Sequence, residues 1–222
     1  MTTARTFQSL YVQPILSVLK RQNPTSPFVT SPTKNGVFDT SSSQTLYLWV
    51  DVKTDGPSTF PSVVKELQPL RDGGWLTTVD EAGNVNPGPV TVIGTGNTPL
   101  NQVQGVSPRD YFYDARLDLL NSTQSNITSN VTPIASVDYA TAIGTTPRNG
   151  TLSPAQTTAL NQQVSYAQSK GIGARYWDTP AFPISVRNRV WGQLWDAGVM
   201  LINVDDLVAG AGYGDYGNWY TT

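Results

Sequence analysis

The chain has neither cysteine nor histidine among its 222 residues. Without cysteine there is no disulfide bond, no thiolate metal site and no cysteine nucleophile. Without histidine, the commonest general acid or base and the commonest neutral metal ligand are missing as well. Any chemistry must therefore use carboxylates, lysine, arginine, tyrosine or backbone groups.

Charged residues and long apolar runs are also scarce. Charged residues make up 14% of the chain and its net charge is −2, which gives no basic surface for nucleic acid. No apolar run is long enough to span a bilayer, so we expect no integral membrane segment. Four Asn-x-Ser/Thr sequons leave two readings open, chance occurrence or a glycosylated loop on the secretory route. They lie at Asn121, Asn126, Asn130 and Asn149.

Apolar runs alternate with helical patterns along the sequence. Strand-like runs lie at residues 46–53, 89–94, 111–114, 134–138, 172–177 and 199–205, and helical patterns at residues 7–20, 59–71, 154–170 and 184–195. Such alternation predicts an α/β fold with parallel strands joined by right-handed crossovers. A Rossmann-type sheet is the competing architecture, but Gly94 and Gly96 lack the third glycine of its fingerprint.

Polar or aromatic residues lie at the carboxyl ends of nearly all the predicted strands, as expected of a β/α barrel, where functional groups gather at these ends. They are Asp51, Lys53, Asp114, Asp138, Arg175, Trp177, Asn203, Asp205 and Asp206. Capping of the following helices is the favoured explanation for Asp114, Asp138 and Asp206. The candidates for lining a pocket are Arg175, Trp177, Asn203 and Asp205, with core packing as the alternative for Trp177.

Asp51 and Lys53 stand out because they lie two apart and so point to the same side of one strand. The apolar run before them predicts a strand buried on both faces, which would place the pair at the edge of a core. There, both groups are costly unless they are paired or functional. One reading is a mutual ion pair that orients the strand end. The other is a metal-binding carboxylate beside a lysine that neutralises a phosphate.

Five separate runs, in the same order, resemble the altered inheritance of mitochondria protein 6 family. They are residues 6–12, 45–54, 92–97, 171–180 and 201–207, and the resemblance extends over residues 6–212. That family is part of the phospholipase C-like phosphodiesterase superfamily, together with glycerophosphodiester phosphodiesterases. The resemblance implies a β/α (TIM-type) barrel and divalent-metal-dependent cleavage of small-molecule or lipid phosphodiesters.

The resemblance also implies roles for individual residues. Relatives use two histidines for acid/base catalysis and three acidic residues for Mg²⁺ or Ca²⁺. The latest of these acids and a nearby lysine correspond to Asp51, which would bind the metal, and Lys53, which would bind phosphate. Trp177 resembles the aromatic residue at the end of the seventh strand.

The His-x-x-His and Glu-x-Asp segments of relatives have no counterpart here. We therefore expect residues 1–222 to be one incomplete α/β barrel domain that lacks its first two β/α units and contains strands three to eight. Such a chain is expected to bind metal poorly and to be inactive by itself. The alternatives are a non-catalytic protein that binds through the remaining barrel face, or a sugar-processing barrel using Asp114 and Asp205.

Overall fold

The computed structural model describes residues 5–28 and 34–215 of the chain. These residues form a mixed α/β structure with two parallel sheets. By its internal packing the chain divides into two compact units, Met1–Tyr113 and Asp114–Thr222. The single barrel domain expected over residues 1–222 stays a prediction.

The strands and helices are numbered here in chain order. The strands are β1 (Leu46–Val52), β2 (Thr78–Val79), β3 (Val85–Asn86), β4 (Val90–Gly96), β5 (Phe112–Tyr113), β6 (Ile134–Asp138), β7 (Gly173–Trp177) and β8 (Leu201–Ile202). The helices are α1 (Gln13–Gln22), α2 (Gly56–Glu66), α3 (Gln68–Asp72), α4 (Asn101–Gln104), α5 (Tyr139–Ile143), α6 (Pro154–Ser169), α7 (Ile184–Asp196) and α8 (Leu207–Asp215).

The helical spacing of residues 7–20 predicts that Leu10, Ile15, Leu16 and Leu19 share a buried face, and Leu16 and Leu19 are indeed buried. A π-helical turn, Gln8–Val12, runs directly into α1, and Pro14 lies in the first turn of α1, where a missing N–H is tolerated. Val12 is fully buried, whereas Leu10, which the helical spacing placed on the buried face, is exposed. The wider i→i+5 turn shifts the register of the helix, so Val12 faces the core in place of Leu10.

The parallel sheet of the first unit has the order β1-β4-β5. Leu46 lies opposite Val90 and Val52 opposite Gly96, so β1 and β4 end together. The central strand β4 is buried from residue 90 to residue 94. Strand β1 is only half-buried over most of its length, so the prediction that it is buried on both faces was wrong. The reason is its position, because β1 pairs with β4 alone among the described strands.

Two local features of the first unit differ from the expectation. Helix α2 begins three residues before Thr59, because the Asp55 side chain accepts a hydrogen bond from the Ser58 N–H at 3.0 Å and caps the helix. Between α3 and β4, the short strands β2 and β3 form an antiparallel pair. Two-residue strands are too short to show the alternation by which strands are recognised in a sequence.

The parallel sheet of the second unit has the order β6-β7-β8. On the other side of β6, the Ser136 N–H donates to the Ala115 carbonyl at 2.9 Å. One face of β7 packs towards α6, where the buried Tyr176 hydroxyl donates to Gln163 Oε1 at 2.9 Å. Burial raises the pKa of Tyr176, so it stays neutral and acts as a core residue.

The six expected strands are all present, although β8 is much shorter than residues 199–205. They form two three-stranded parallel sheets, and no closed barrel is found within residues 5–28 and 34–215. In the same part of the chain, no helix combines the length and apolar character needed to cross a bilayer, as expected.

Candidate functional site

Asp51 and Lys53 form an ion pair at the end of β1. Lys53 Nζ lies 2.6 Å from Asp51 Oδ2, and the side chains are 82% and 45% exposed, respectively. The pair is therefore on the surface rather than at the edge of a core. An ion pair this exposed contributes at most about 1 kcal/mol to stability. Stability gives little reason for these charges, and both remain accessible to a ligand.

A glycine turn at the end of β4 leaves the space that the Asp51 carboxylate occupies. Gly96 has φ +65°, and a Cβ on it would lie 2.3 Å from Asp51 Oδ1. The next residue, Asn97, donates its backbone N–H to the Val52 carbonyl at 2.8 Å, and its side-chain amide donates to the Thr54 carbonyl at 3.0 Å. The glycine-rich run that was weighed as a nucleotide fingerprint therefore serves to join the exits of β1 and β4.

Asp51 and its surroundings do not by themselves fit a divalent cation. Mg²⁺ and Ca²⁺ need six or more oxygen ligands, usually with several carboxylates. Here one carboxylate is present, and Lys53 Nζ lies against its Oδ2 atom. Within residues 5–28 and 34–215, no group of three or more His, Cys, Asp or Glu residues could hold a metal ion.

Arg175 connects the ends of the strands in the second unit. It lies opposite Ser136 of β6, and its Nη1 and Nη2 atoms donate to Ser136 Oγ at 3.3 Å and to Asn203 Oδ1 at 2.5 Å. Burial lowers the pKa of Arg175, and the nearby charge of Asp114 partly offsets this shift. The structure thus brings together Arg175 and Asn203, two of the four pocket candidates, and makes the first a partly desolvated cation.

A cleft of about 110 Å³ opens beside Asn203, at the exits of β7 and β8. Its lining is formed by Thr179, Pro180, Ala181, Arg187, Trp191, Asn203, Asp205 and Asp206. The cleft therefore contains the pocket candidates Asn203 and Asp205. It does not contain Trp177, which is exposed at the end of β7 opposite Asp138.

Arg187 is the residue of this cleft that the sequence reasoning missed. Its Nη1 atom lies 2.9 Å from Asp206 Oδ2, its Nε donates to Asn188 Oδ1 at 3.0 Å, and its guanidinium stacks over the Trp191 ring at 4.7 Å. The available signal was an arginine four residues before a tryptophan on an otherwise apolar helix face, the spacing of residues that meet on one side of a helix.

Two of the three predicted capping residues act as caps. Asp138 accepts from the Thr141 N–H at 2.7 Å at the start of α5, and Asp206 accepts from the Ala209 N–H at 3.0 Å at the start of α8. The pKa of Asp206 is lowered mainly by the Ala209 N–H and further by Arg187. Asp206 therefore has two roles, since it caps α8 and pairs with Arg187 in the cleft.

Comparison with known proteins gives a consistent result. Residues 1–114 match the model of the AIM6-like phosphodiesterase domain. The chain is 50% identical to an altered inheritance of mitochondria protein 6 homolog of Arthroderma benhamiae, over 96% of this chain and 67% of that protein. The proteins named altered inheritance of mitochondria protein 6 from Eremothecium gossypii and Lachancea thermotolerans are 34% and 32% identical. Those matches cover 90% and 91% of this chain but only 54% and 52% of the two relatives. No solved structure gives a significant match.

Proposed function

The chain belongs to the altered inheritance of mitochondria protein 6 family, and on that premise we propose that it binds phosphodiesters of lipid type. The observation that carries the proposal is the exposed Asp51–Lys53 pair, which lies at a strand exit inside the region that matches a phosphodiesterase domain. The ion pair contributes little to stability, so the Lys53 ammonium group can instead donate a hydrogen bond to a phosphate oxygen.

We propose further that the six parallel strands are the third to eighth strands of a β/α barrel. Their order along the chain, their parallel pairing and the gathering of polar residues at their carboxyl ends all support this assignment. The hydrolase family to which the proposal refers would use Mg²⁺ or Ca²⁺, which stabilises negative charge on the phosphoryl oxygens. In the complete site Asp51 would be one of its ligands.

For residues 1–222 by themselves, we propose binding without turnover. Cleavage of a phosphodiester needs one group that takes a proton from the attacking oxygen and another that gives a proton to the leaving oxygen. Histidine, the usual group for both tasks, is absent from the sequence. Each missing acid or base group typically costs about 10² to 10⁴ in rate. Lys53 supplies positive charge for a phosphate oxygen, which favours binding but does not replace an acid or base group.

Calorimetric titration with glycerophosphocholine tests the proposal. We expect binding to the wild-type chain and about tenfold weaker binding by Lys53→Gln, because a charge-assisted hydrogen bond is lost. Lys65→Gln is the matched control, since Lys65 is exposed on α2 away from the strand ends. Mg²⁺ or Ca²⁺ should leave the affinity nearly unchanged. Equal affinity of the two variants, or turnover that survives Asp51→Asn, would contradict the site assignment.

A further inference from the structure

Four apolar side chains project into solvent just beyond β7 and β8. Phe182 and Ile184 follow β7 and are 80% and 57% exposed, and Leu207 and Val208 follow β8 and are 74% and 86% exposed. We name these four residues the apolar tip. Single exposed apolar residues are common on protein surfaces, but four of them in two neighbouring segments call for an explanation.

The cleft at the exits of β7 and β8 is lined by residues that adjoin both segments. Ala181, immediately before Phe182, and Asp206, immediately before Leu207, both line this cleft. The Arg187–Asp206 ion pair, at 2.9 Å, ties the second segment to α7, the helix that begins at Ile184. The apolar tip therefore borders the mouth of the cleft. Residues 179–186 and 207–213 contain no charged residue.

We propose that the apolar tip and the cleft together dock onto the surface of a zwitterionic phospholipid membrane. All four side chains are more than half exposed, and the acyl boundary of a bilayer can surround such projecting side chains more completely than a flat protein face can. Each Å² of apolar surface removed from water contributes about 25 cal/mol to the free energy of binding, so burial of these four side chains favours membrane association. The inference rests on the proposed function only for the lipid character of the ligand.

The charges of the cleft select the type of lipid. Two carboxylates, Asp205 and Asp206, line it together with one guanidinium, Arg187, and the exposed Asp178 follows β7 directly. The excess of acidic groups favours a head group whose outermost charge is positive, as in phosphatidylcholine. It opposes a surface of net negative charge, because like charges repel across a short distance.

Co-sedimentation with vesicles of pure phosphatidylcholine tests this inference. We expect the wild-type chain to bind, and Leu207→Gln/Val208→Gln and Phe182→Gln each to lower the partition coefficient about tenfold through loss of apolar burial. Phe28→Gln is the control, because Phe28 is 93% exposed but lies in the first unit. Vesicles of phosphatidylglycerol should bind less protein than phosphatidylcholine vesicles. Thermal unfolding of each variant checks that the fold is intact.

Three results would overturn the inference: no binding to phosphatidylcholine vesicles, stronger binding to phosphatidylglycerol, or equal losses for Phe28→Gln and the tip variants. Sedimentation velocity without vesicles tests whether the chain forms a dimer through the apolar tip. A dimer that Leu207→Gln/Val208→Gln converts to monomer would show that a second copy, rather than lipid, covers the apolar tip. Titration with glycerophosphocholine separates the two proposals, since the tip variants should bind this soluble head group as well as wild type does.

Discussion

At the scale of single residues, the missing side chain of Gly96 leaves room for the Asp51 carboxylate in its observed position. A side chain at position 96 would meet Asp51 Oδ1 at 2.3 Å and the Val52 carbonyl oxygen at 2.7 Å, closer than any Cβ atom approaches other groups. Its φ of +65° is also a conformation that side chains disfavour. The position of the carboxylate thus depends on the absence of a side chain on the neighbouring strand.

We predict that Gly96→Ala destabilises the chain by about 2–4 kcal/mol, as judged by denaturant unfolding. Gly171→Ala is the matched control, because Gly171 also has positive φ, +69°, but a Cβ there meets only Ser129, at 3.6 Å. The control should cost about 1–2 kcal/mol, the cost of the backbone conformation alone. In an Asp51→Ala background the cost of Gly96→Ala should fall. Equal costs for the two glycine substitutions would refute the proposed contact.

At the scale of elements, α6 has the most complete set of sequence signals in the chain. Ser153 Oγ accepts from the Gln156 N–H and Gln156 Oε1 accepts from the Ser153 N–H, which forms a capping box. The Gln156 amide also donates to the Ile143 carbonyl at 3.1 Å, so the same residue fixes the end of α5. Beyond the other end of the helix, Gly171 adopts positive φ.

Ser153→Ala should therefore lower the free energy of unfolding by about 1 kcal/mol, because the Gln156 N–H loses its hydrogen-bond acceptor. Ser165→Ala makes the same chemical change at an exposed position inside the helix, where alanine is the better helix former. We expect that control to be neutral or slightly stabilising. Urea unfolding followed by circular dichroism measures both, and equal losses would contradict the capping role.

The same elements show how far the sequence alone could predict this structure. Helices α6 and α7 were predicted almost to the residue, because α6 begins with a capping box and α7 has a long series of buried residues. The apolar run of β1 was predicted to be fully buried, because a sequence does not show that a strand lies at the end of its sheet, as β1 does among the described strands. Of the site, Arg175 and Asn203 were recognised from their place near the carboxyl ends of predicted strands. Arg187 was missed because its partner Asp206 lies 19 residues further along the chain.

At the scale of the whole molecule, the distribution of strands raises the question of what protects the sheets. Among the described strands, β1 lies at one end of its sheet and β8 at one end of the other. Leu46 donates its N–H to the Pro89 carbonyl of the β4 side, so the N–H of Tyr47 points to the opposite side of β1. Strand edges of this kind favour pairing with another chain unless charged residues or proline protect them.

We predict that the chain self-associates through β1, which lies at one end of its sheet among the described strands. Between Leu46 and Val50 this strand carries no charge that would oppose pairing. In sedimentation velocity experiments, the sedimentation coefficient of the wild-type chain should rise with protein concentration. Tyr47→Lys should make this rise smaller, because it places a charge on the edge strand. Val106→Lys adds the same charge at an exposed position of the first unit outside its strands and should leave the association unchanged. A monomer at every concentration, with a cooperative thermal transition, would show that the edge is protected by other means.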